Sequence, residues 1–188
     1  MTMTKPKLLV SACLLGENCK YSGGNNRDEQ VRALERYFQL IPVCPECFGG
    51  LPIPREPSEI RDGCVVSKSG VDVTAAFADG AEKTLYIAEE ENCGLALLKE
   101  RSPSCGSGEI YDGTFTGTVV EGWGVTAELL RREGYTVDVS NDGVSGLDNA
   151  LSGIYDLLVL DVMLPGLDGF ALMQLLRSTG SRLPVLML

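Results

Sequence analysis

Apolar runs alternate with amphipathic stretches along the first two thirds of the chain. The run KLLVSACLLG begins as a buried strand and ends in small residues, and the runs FQLIPVCPEC and GLALLKERSPSC repeat this pattern. Between them, RDEQVRALERYFQ and ADGAEKTLYIAEEENC carry apolar residues at helical spacing. Strands that alternate with helices in this way predict an α/β domain with an open, largely parallel sheet and flanking helices.

Three cysteines share one position relative to these predicted strands. Cys13, Cys44 and Cys105 each come at or just after the C-terminal end of an apolar run. Open parallel sheets bind ligands at the edge where the C-terminal strand ends meet. The segment SPSCG around Cys105 consists of small and polar residues that favour a turn over core packing. We therefore expect three loops to bring three thiols to one edge of the sheet.

The last quarter of the chain changes in character. From about Gly134 it contains no cysteine, although the apolar runs YDLLVLD and LPVLML predict further strands. We predict two domains, residues 1–138 and 139–188, and a joint between Glu133 and Asn141. The two apolar runs are expected to pack on the first domain or on a second copy of the chain, which would make a homodimer.

Composition narrows the chemistry available to the protein. The formal net charge is −10, which disfavours sequence-independent binding to nucleic acid and suits a small neutral ligand better. There is no apolar run long enough to span a membrane and no secretory signal, so we expect a cytoplasmic protein. The sequence contains seven cysteines and no histidine. Any catalytic or metal site must therefore use thiolates, carboxylates, hydroxyls or the backbone.

The cysteine spacing leaves three kinds of site open. Cys44 and Cys47 form a C-x-x-C pair, but the nearest second pair, Cys13 and Cys19, is widely spaced, so a Cys₄ zinc site is poorly matched. A thioredoxin-like redox pair is less favoured, because no helical pattern follows the C-x-x-C motif directly. Three single cysteines on converging loops better suit an iron–sulfur cluster held by three thiolates, with one iron open.

Four longer motifs lie along residues 7 to 138: SACLLGENCKYSGG, PVCPECFGGLPIPREPSEI, GVDVTAAFADGA and SPSCGSGEIYDGTFTGTVVEGWGVTAELLRREG. In this order they resemble a family long known only as a domain of unknown function, whose characterised members are thiouracil and thiouridine desulfidases. The resemblance implies a [4Fe-4S] cluster and removal of a thiocarbonyl sulfur from a pyrimidine. Carried over by position, the cluster ligands are Cys13, Cys44 and Cys105. Cys19 belongs to the first motif and could assist in substrate binding or sulfur handling, whereas Cys47 could simply pack.

Conversion of C=S to C=O by water leaves the oxidation level of the carbon unchanged, so the expected reaction is a hydrolysis that needs no electron donor. An open, thiophilic iron would bind the sulfur and polarise the carbon. Without histidine, Glu46 is the candidate acid–base residue, since it follows Cys44 closely and would be screened from water. Ser102 is expected to hydrogen-bond the base or hold the water. Cys64 and Cys93 are expected to be structural, since free cysteine is usually buried.

The C-terminal segment resembles part of a response-regulator receiver domain, with Asp161 in the phosphoacceptor position after LLVLD. The receiver's first strand, the acidic pair that follows it, and its later hydroxyl and lysine positions have no counterpart in the sequence. We therefore expect a truncated or fused segment and little capacity for phosphotransfer.

The main functional hypothesis is an oxygen-sensitive, iron–sulfur-dependent desulfidase that acts on thiolated pyrimidines such as 2-thiouracil. The alternatives are a zinc- or iron–sulfur-stabilised binding module and, less favoured, a phosphoacceptor signalling protein. A free base, a nucleoside and a thiolated tRNA all stay open as substrates, although the acidic charge favours small molecules.

Overall fold

Three parallel strands form the central sheet of the N-terminal part of the chain. In the computed structural model, which describes residues 5–135, 140 and 142–187, these strands are β1 (Lys7–Ser11), β2 (Gln39–Val43) and β5 (Leu95–Leu97). Their order is β2-β1-β5, and β1 pairs in parallel with both neighbours. The central strand β1 is buried between the other two, as its apolar sequence predicts. The α/β class and the parallel sheet expected from the sequence are thus confirmed.

Four helices accompany this sheet: α1 (Glu29–Ala33), the one-turn α2 (Pro45–Phe48), α3 (Thr74–Glu90) and α4 (Val125–Arg132). The Asp28 side chain caps α1 by accepting hydrogen bonds from two backbone amides. One core cluster joins sheet and helices, and its buried members are Leu9, Val43, Ala88, Cys93 and Leu130. The core therefore lies between the sheet and the helices α3 and α4.

Two antiparallel hairpins complete the N-terminal unit. The first pairs β3 (Ser58–Arg61) with β4 (Cys64–Ser67), and the second pairs β6 (Ser107–Tyr111) with β7 (Val119–Trp123). The second hairpin follows the Cys105 loop directly.

The helix α2 packs on α3 with almost no space between their backbones. A Cβ atom at Gly80 in α3 would lie 2.0 Å from the Pro45 carbonyl oxygen, and one at Gly49 would lie 1.9 Å from the Ala76 carbonyl oxygen. Only glycine allows this approach. The two glycines therefore fix the position of the turn that carries Cys44 and Cys47.

The C-terminal segment forms a second compact unit, and the division of the chain falls between residues 137 and 138. It contains α5 (Gly143–Leu151), β8 (Leu158–Leu160), α6 (Gly169–Ser178) and β9 (Val185–Met187). The strands β8 and β9 pair in parallel with each other. Its own buried residues are Ala150, Leu160, Leu172, Leu176 and Leu186. The joint predicted between residues 138 and 139 lies outside the described residues.

One detail of the predicted elements was wrong. The strand read from GLALLKERSPSC ends at Leu97, so Cys105 lies in a loop well beyond it. The C-x-x-C motif itself forms most of a one-turn helix, Pro45–Phe48, which begins after the extended Cys44 because Pro45 is suited to the first helical position. Residues 49–57, which follow this turn, are not helical, as the sequence analysis expected. No helix in the described part of the chain is long and apolar enough to cross a membrane.

Candidate functional site

The first cysteine loop follows the central strand. Ser11 ends β1, and Cys13 lies in the 3₁₀ turn Ala12–Leu15, which ends at Gly16 in the left-handed conformation. The Asn26 side-chain amide donates to the Cys13 sulfur at 3.5 Å, and the Asn26 backbone amide donates to the Cys13 carbonyl at 2.9 Å. The glycine-rich loop that contains Asn26 therefore folds back over Cys13.

The second loop is the C-x-x-C turn. Cys44 follows β2 directly and occupies the position before α2, so Glu46 and Cys47 lie within the single turn of that helix. The Cys44 and Cys47 sulfurs both lie 3.8 Å from the Cys19 carbonyl oxygen. Cys19 is thus brought against the C-x-x-C turn, a contact that the sequence spacing did not predict.

The third loop carries Cys105, which is buried. The Ser102 hydroxyl accepts hydrogen bonds from the backbone amides of Ser104 and Cys105, both at 3.1 Å, which forms the turn expected from SPSCG. The Ser104 carbonyl then accepts from the first amides of α4, and its hydroxyl pairs with Thr126 at 2.8 Å. Helix α4 therefore anchors the Cys105 loop.

Four thiols, those of Cys13, Cys19, Cys44 and Cys47, lie close enough together to influence one another's pKa. The Cys19 thiol lies within hydrogen-bonding reach of Cys13 and of Cys44 and can donate its single proton to either sulfur, and this is the main cause that lowers the pKa of Cys13 to about 7 and that of Cys44 to about 6. The same bonds raise the pKa of Cys19 itself. Burial, together with a hydrogen bond to Cys44, raises the pKa of Cys47 to about 11. Cys13 and Cys44 are the two thiols most easily ionised near neutral pH.

Cys105 lies next to this group. Burial raises its pKa to about 12, and the negative charges of Glu46, Cys13 and Cys44 act in the same direction, while a hydrogen bond with the Ser11 side chain opposes them. The three cysteines predicted as cluster ligands are therefore close enough to influence one another electrostatically. Cys105 would need a positive charge or a metal beside it to ionise.

Glu46 and Ser102, the two predicted catalytic residues, face each other. The Ser102 hydroxyl lies 3.5 Å from Oε1 of Glu46. The other oxygen, Oε2, accepts from Arg55, with N–O distances of 2.8 Å from Nε and 2.7 Å from Nη2. Both side chains are largely buried, with 17% of Glu46 and 7% of Arg55 exposed. The carboxylate is screened from water, as the sequence analysis expected.

Arg55 is the residue of this site that sequence reasoning missed. It lies within the motif PREPSEI, but its partner Glu46 is on another element, so no local pattern pointed to it. The only signal in the sequence was a charged residue between two prolines inside a motif already singled out by the family resemblance.

The remaining cysteines lie apart from this group. Cys93 packs in the core cluster, in agreement with the structural role expected for it. Cys64 is exposed rather than buried, because it begins the edge hairpin strand β4.

Beside the thiols, a cleft of about 290 Å³ is open to solvent. Its lining includes Cys19, Cys44, Cys47, Asn18, Phe48 and Ile53. The cleft combines apolar side chains and one amide with the thiols, which suits a small flat ligand. Among residues 5–135, 140 and 142–187, no three His, Cys, Asp or Glu side chains are arranged to hold a single metal ion.

Both parts of the chain are similar to known proteins. The family model for 2-thiouracil desulfurase matches residues 8–142, and the model for the response regulator receiver domain matches residues 123–188. The uncharacterized protein YbbK of Bacillus subtilis is 45% identical over 145 residues, which cover 72% of this chain and 96% of YbbK. The transcriptional regulatory protein PcoR of Escherichia coli is 51% identical over 59 residues, 31% of this chain but only 26% of PcoR.

Among solved structures, the [4Fe-4S]-dependent thiouracil desulfidase TudS is similar to this protein, with a TM-score of 0.67 and 46% sequence identity. The match covers 79% of this chain and 99% of TudS. The receiver-like match is partial, since it spans about a quarter of the regulators concerned. The chain therefore belongs to the 2-thiouracil desulfurase family and carries a receiver-like segment at its C-terminal end.

Proposed function

We propose that this protein is a thiouracil desulfidase that replaces the thiocarbonyl sulfur of a thiolated pyrimidine by oxygen and releases sulfide. The observation that carries the proposal is the position of the Ser102 hydroxyl, which accepts a hydrogen bond from the Cys105 amide and lies 3.5 Å from Oε1 of Glu46 on the turn that follows Cys44. Family membership and the likeness to TudS support it. The net reaction is C=S + H₂O → C=O + H₂S, in which the carbon keeps its oxidation level.

The donor set fits a [4Fe-4S] cluster bound by Cys13, Cys44 and Cys105. Thiolates are the usual ligands of such clusters, and two of these thiols ionise near neutral pH. A single metal ion needs its sulfur ligands to meet around one point, about 2.3 Å from the metal. Cluster thiolates bind separate irons, so the three loops need not converge so tightly. Three ligands for four irons leave one iron without a protein ligand.

When bound, such a cluster supplies a thiophilic, Lewis-acidic iron for the substrate sulfur. Proton transfer and the positioning of water and substrate depend on side chains of the protein. Glu46 accepts the proton of the attacking water through Oε1, because Oε2 is already occupied by Arg55. Ser102 holds the water or the pyrimidine beside that oxygen, since its hydroxyl is fixed by two backbone amides. Both residues are only partly exposed, which limits the access of bulk water to the reacting carbon.

A small thiolated base or nucleoside is the substrate class that the site favours. The open cleft beside the thiols is about 290 Å³, and the chain has a net charge of −10. An acidic protein binds a polyanionic tRNA weakly unless it has a local basic patch. We regard the receiver-like segment as dispensable for this reaction, because every residue assigned a role lies between residues 11 and 105.

The test is anaerobic incubation of the reconstituted protein with 2-thiouracil, 4-thiouracil and 4-thiouridine, with sulfide release measured. We expect turnover without an electron donor or acceptor, and in labelled water the product oxygen should come from solvent. A brown protein with about four irons per chain is the expected preparation. A colourless zinc protein without activity would instead support the binding module, and a requirement for a stoichiometric reductant would contradict the hydrolysis.

A further inference from the structure

The Arg55 side chain connects segments that are separate in the sequence: the Cys19 loop, the turn that carries Glu46, and the Pro52 loop. Its guanidinium contacts the Glu46 carboxylate, donates to the Cys19 carbonyl at 3.0 Å and to the Pro52 carbonyl at 3.2 Å. Its backbone amide donates to the Tyr21 carbonyl at 2.8 Å. A side chain that is only 7% exposed and makes this many directed contacts is held in one orientation.

We propose that Arg55 is a positioning residue for the desulfuration: it holds one oxygen of Glu46 so that the other faces Ser102, and it fixes the Cys19 carbonyl against the C-x-x-C turn. The inference rests on the proposed function and adds to it a residue that does not itself touch the substrate.

The two oxygens of Glu46 have different partners, and this difference is what Arg55 maintains. Oε2 receives both guanidinium contacts, whereas Oε1 lies 3.5 Å from the Ser102 hydroxyl and receives none. Without Arg55 the carboxylate plane could turn about its last torsion, so that neither oxygen would be held facing the Ser102 hydroxyl. A displacement of about 1 Å at a reacting group can lower a rate by about 10²-fold.

The contact with Cys19 extends this role to the thiols. The carbonyl that accepts from Arg55 is the same carbonyl that lies 3.8 Å from the Cys44 and Cys47 sulfurs. The Cys19 thiol in turn lies within hydrogen-bonding reach of Cys13 and Cys44. One guanidinium therefore orients the acid–base residue and the loop between the cysteines together.

Lysine cannot replace arginine in this position. The guanidinium uses Nε, Nη1 and Nη2 for separate acceptors in fixed directions, whereas an ammonium group is a compact charge without that planar fork. An Arg55→Lys substitution keeps the charge beside Glu46 but loses the orientation. It therefore separates a positioning role from simple charge neutralisation.

The experiment is a double-mutant cycle of Arg55→Lys and Glu46→Gln on anaerobically reconstituted protein. We expect Arg55→Lys to lower kcat by about 10- to 100-fold with little change in KM, and with iron and labile sulfide per chain as in the wild type. In the Glu46→Gln background the same substitution should lower kcat much less than it does in the wild type, because the larger part of its effect passes through Glu46. Arg132→Lys, at an exposed arginine paired with Glu128, is the matched control and should change nothing.

Thermal unfolding of the same proteins without the cluster gives a readout that needs no activity. The effects of the two substitutions should again be non-additive, since the residues form one buried pair. If Arg55→Lys fails to fold, Arg55→Ala with added guanidinium takes its place. Guanidinium at non-denaturing concentration should then restore kcat, and methylammonium should not.

The outcomes are distinguishable. Additive kinetic effects, a change confined to KM, or an Arg55→Lys protein as active as the wild type would overturn the inference alone. Absence of rescue in Arg55→Ala would do the same. A fully loaded wild-type protein that releases no sulfide from any of the three thiopyrimidines would overturn the proposed function itself.

Discussion

Glu46 is the residue whose surroundings define its proposed chemistry most closely. Arg55 contacts one of its oxygens and Ser102 faces the other. Glu46 lies in the turn directly after Cys44, at the C-terminal end of strand β2. A carboxylate held in this way can accept a proton at one defined atom. Substitution of Glu46 can therefore test the proton-transfer step separately from cluster binding, because the thiols that would hold the cluster belong to other residues.

We predict that Glu46→Gln lowers kcat by about 10² to 10⁴-fold, the usual contribution of a positioned acid–base group, and keeps the cluster. The amide preserves the shape of the side chain but cannot take the proton. Steady-state kinetics normalised to iron, with the visible spectrum, measure both properties. Glu29→Gln, at an exposed glutamate paired with Arg27, is the control. Wild-type kcat per cluster would transfer the proton step to Ser102 or to water.

The cysteines give a second prediction at this scale. Cys13→Ser, Cys44→Ser and Cys105→Ser should each lose the cluster and the activity, because each removes one of three thiolate ligands. Cys64→Ser and Cys93→Ser should keep both, since Cys64 is exposed on a hairpin and Cys93 packs in the core. Iron and labile-sulfide assays on each variant test this prediction. A fully loaded, active Cys105→Ser protein would refute the ligand assignment.

Single residues were predictable where one feature of the sequence dictated their position. Cys13 and Cys44 could be placed because each follows a buried strand closely, and parallel strand ends meet at one edge. The proximity of Cys19 to both could not be predicted, because it depends on how the loop after β1 folds back. Arg55 was missed for the same reason, since its contact with Glu46 exists only in three dimensions.

At the scale of elements, the site depends on how closely the short helix α2 approaches α3. Helix α2 has only one turn, so its own hydrogen bonds cannot hold it in place. Its position comes from the contact at Gly49 and Gly80. Because Cys44, Glu46 and Cys47 all belong to this turn, its placement sets the geometry of the thiols and of the acid–base residue together.

We predict that Gly80→Ala destabilises the protein by about 1–3 kcal/mol, the usual cost of overpacking, and lowers its iron content. In the interior of an exposed helix the same change normally stabilises by up to about 1 kcal/mol, so the sign is diagnostic. The added methyl would lie 2.0 Å from the Pro45 carbonyl and push α2 away. Urea unfolding and iron per chain provide the measurements.

Gly94→Ala is the matched control for this prediction, because nothing lies within 4 Å of the position its Cβ would occupy. It should leave stability and iron content close to those of the wild type. A Gly80→Ala protein as stable as the wild type would mean that α2 can shift without cost, and the site would then not depend on this contact.

The pattern of apolar residues predicted the end of one strand incorrectly. The third apolar run predicted a strand that reaches Cys105, but the strand ends at Leu97. Side chains explain the difference: the Glu100 carboxylate accepts from the amides of Ser107 and Glu109, and the Ser102 hydroxyl accepts from two more. Polar side chains that bond the nearby backbone compete with a strand. The alternation of strands and helices, which depends on buried apolar residues, was predicted correctly.

At the scale of the whole molecule, the chain contains two compact units that match different family models. Residues 8–142 match the desulfurase family, and residues 123–188 match a receiver domain, so the two matches overlap. Each unit has its own buried residues, and in the second unit β8 and β9 pair with each other. The sequence alone suggested that these apolar runs pack on the first domain or on a second chain. It could not show that they satisfy each other's hydrogen bonds.

The receiver-like unit leads to the last prediction. A chain ended after residue 138 should load iron and turn over 2-thiouracil with kcat per cluster within about two-fold of the full chain, because a domain with its own core folds alone. Asp161→Asn in the full chain is the companion variant. Asp161 follows β8 and accepts a hydrogen bond from the Met163 amide, outside the unit that holds the cysteines.

Iron content, kcat and the melting temperature of the shortened chain are compared with those of the full chain and of Asp161→Asn. We expect all three proteins to agree in iron content and kcat. A shortened chain that folds but loses iron or activity would show that residues 139–188 contribute to the site. A loss caused by Asp161→Asn alone would instead favour a regulatory role for the receiver-like segment, because that change removes the carboxylate but leaves the strands and helices in place.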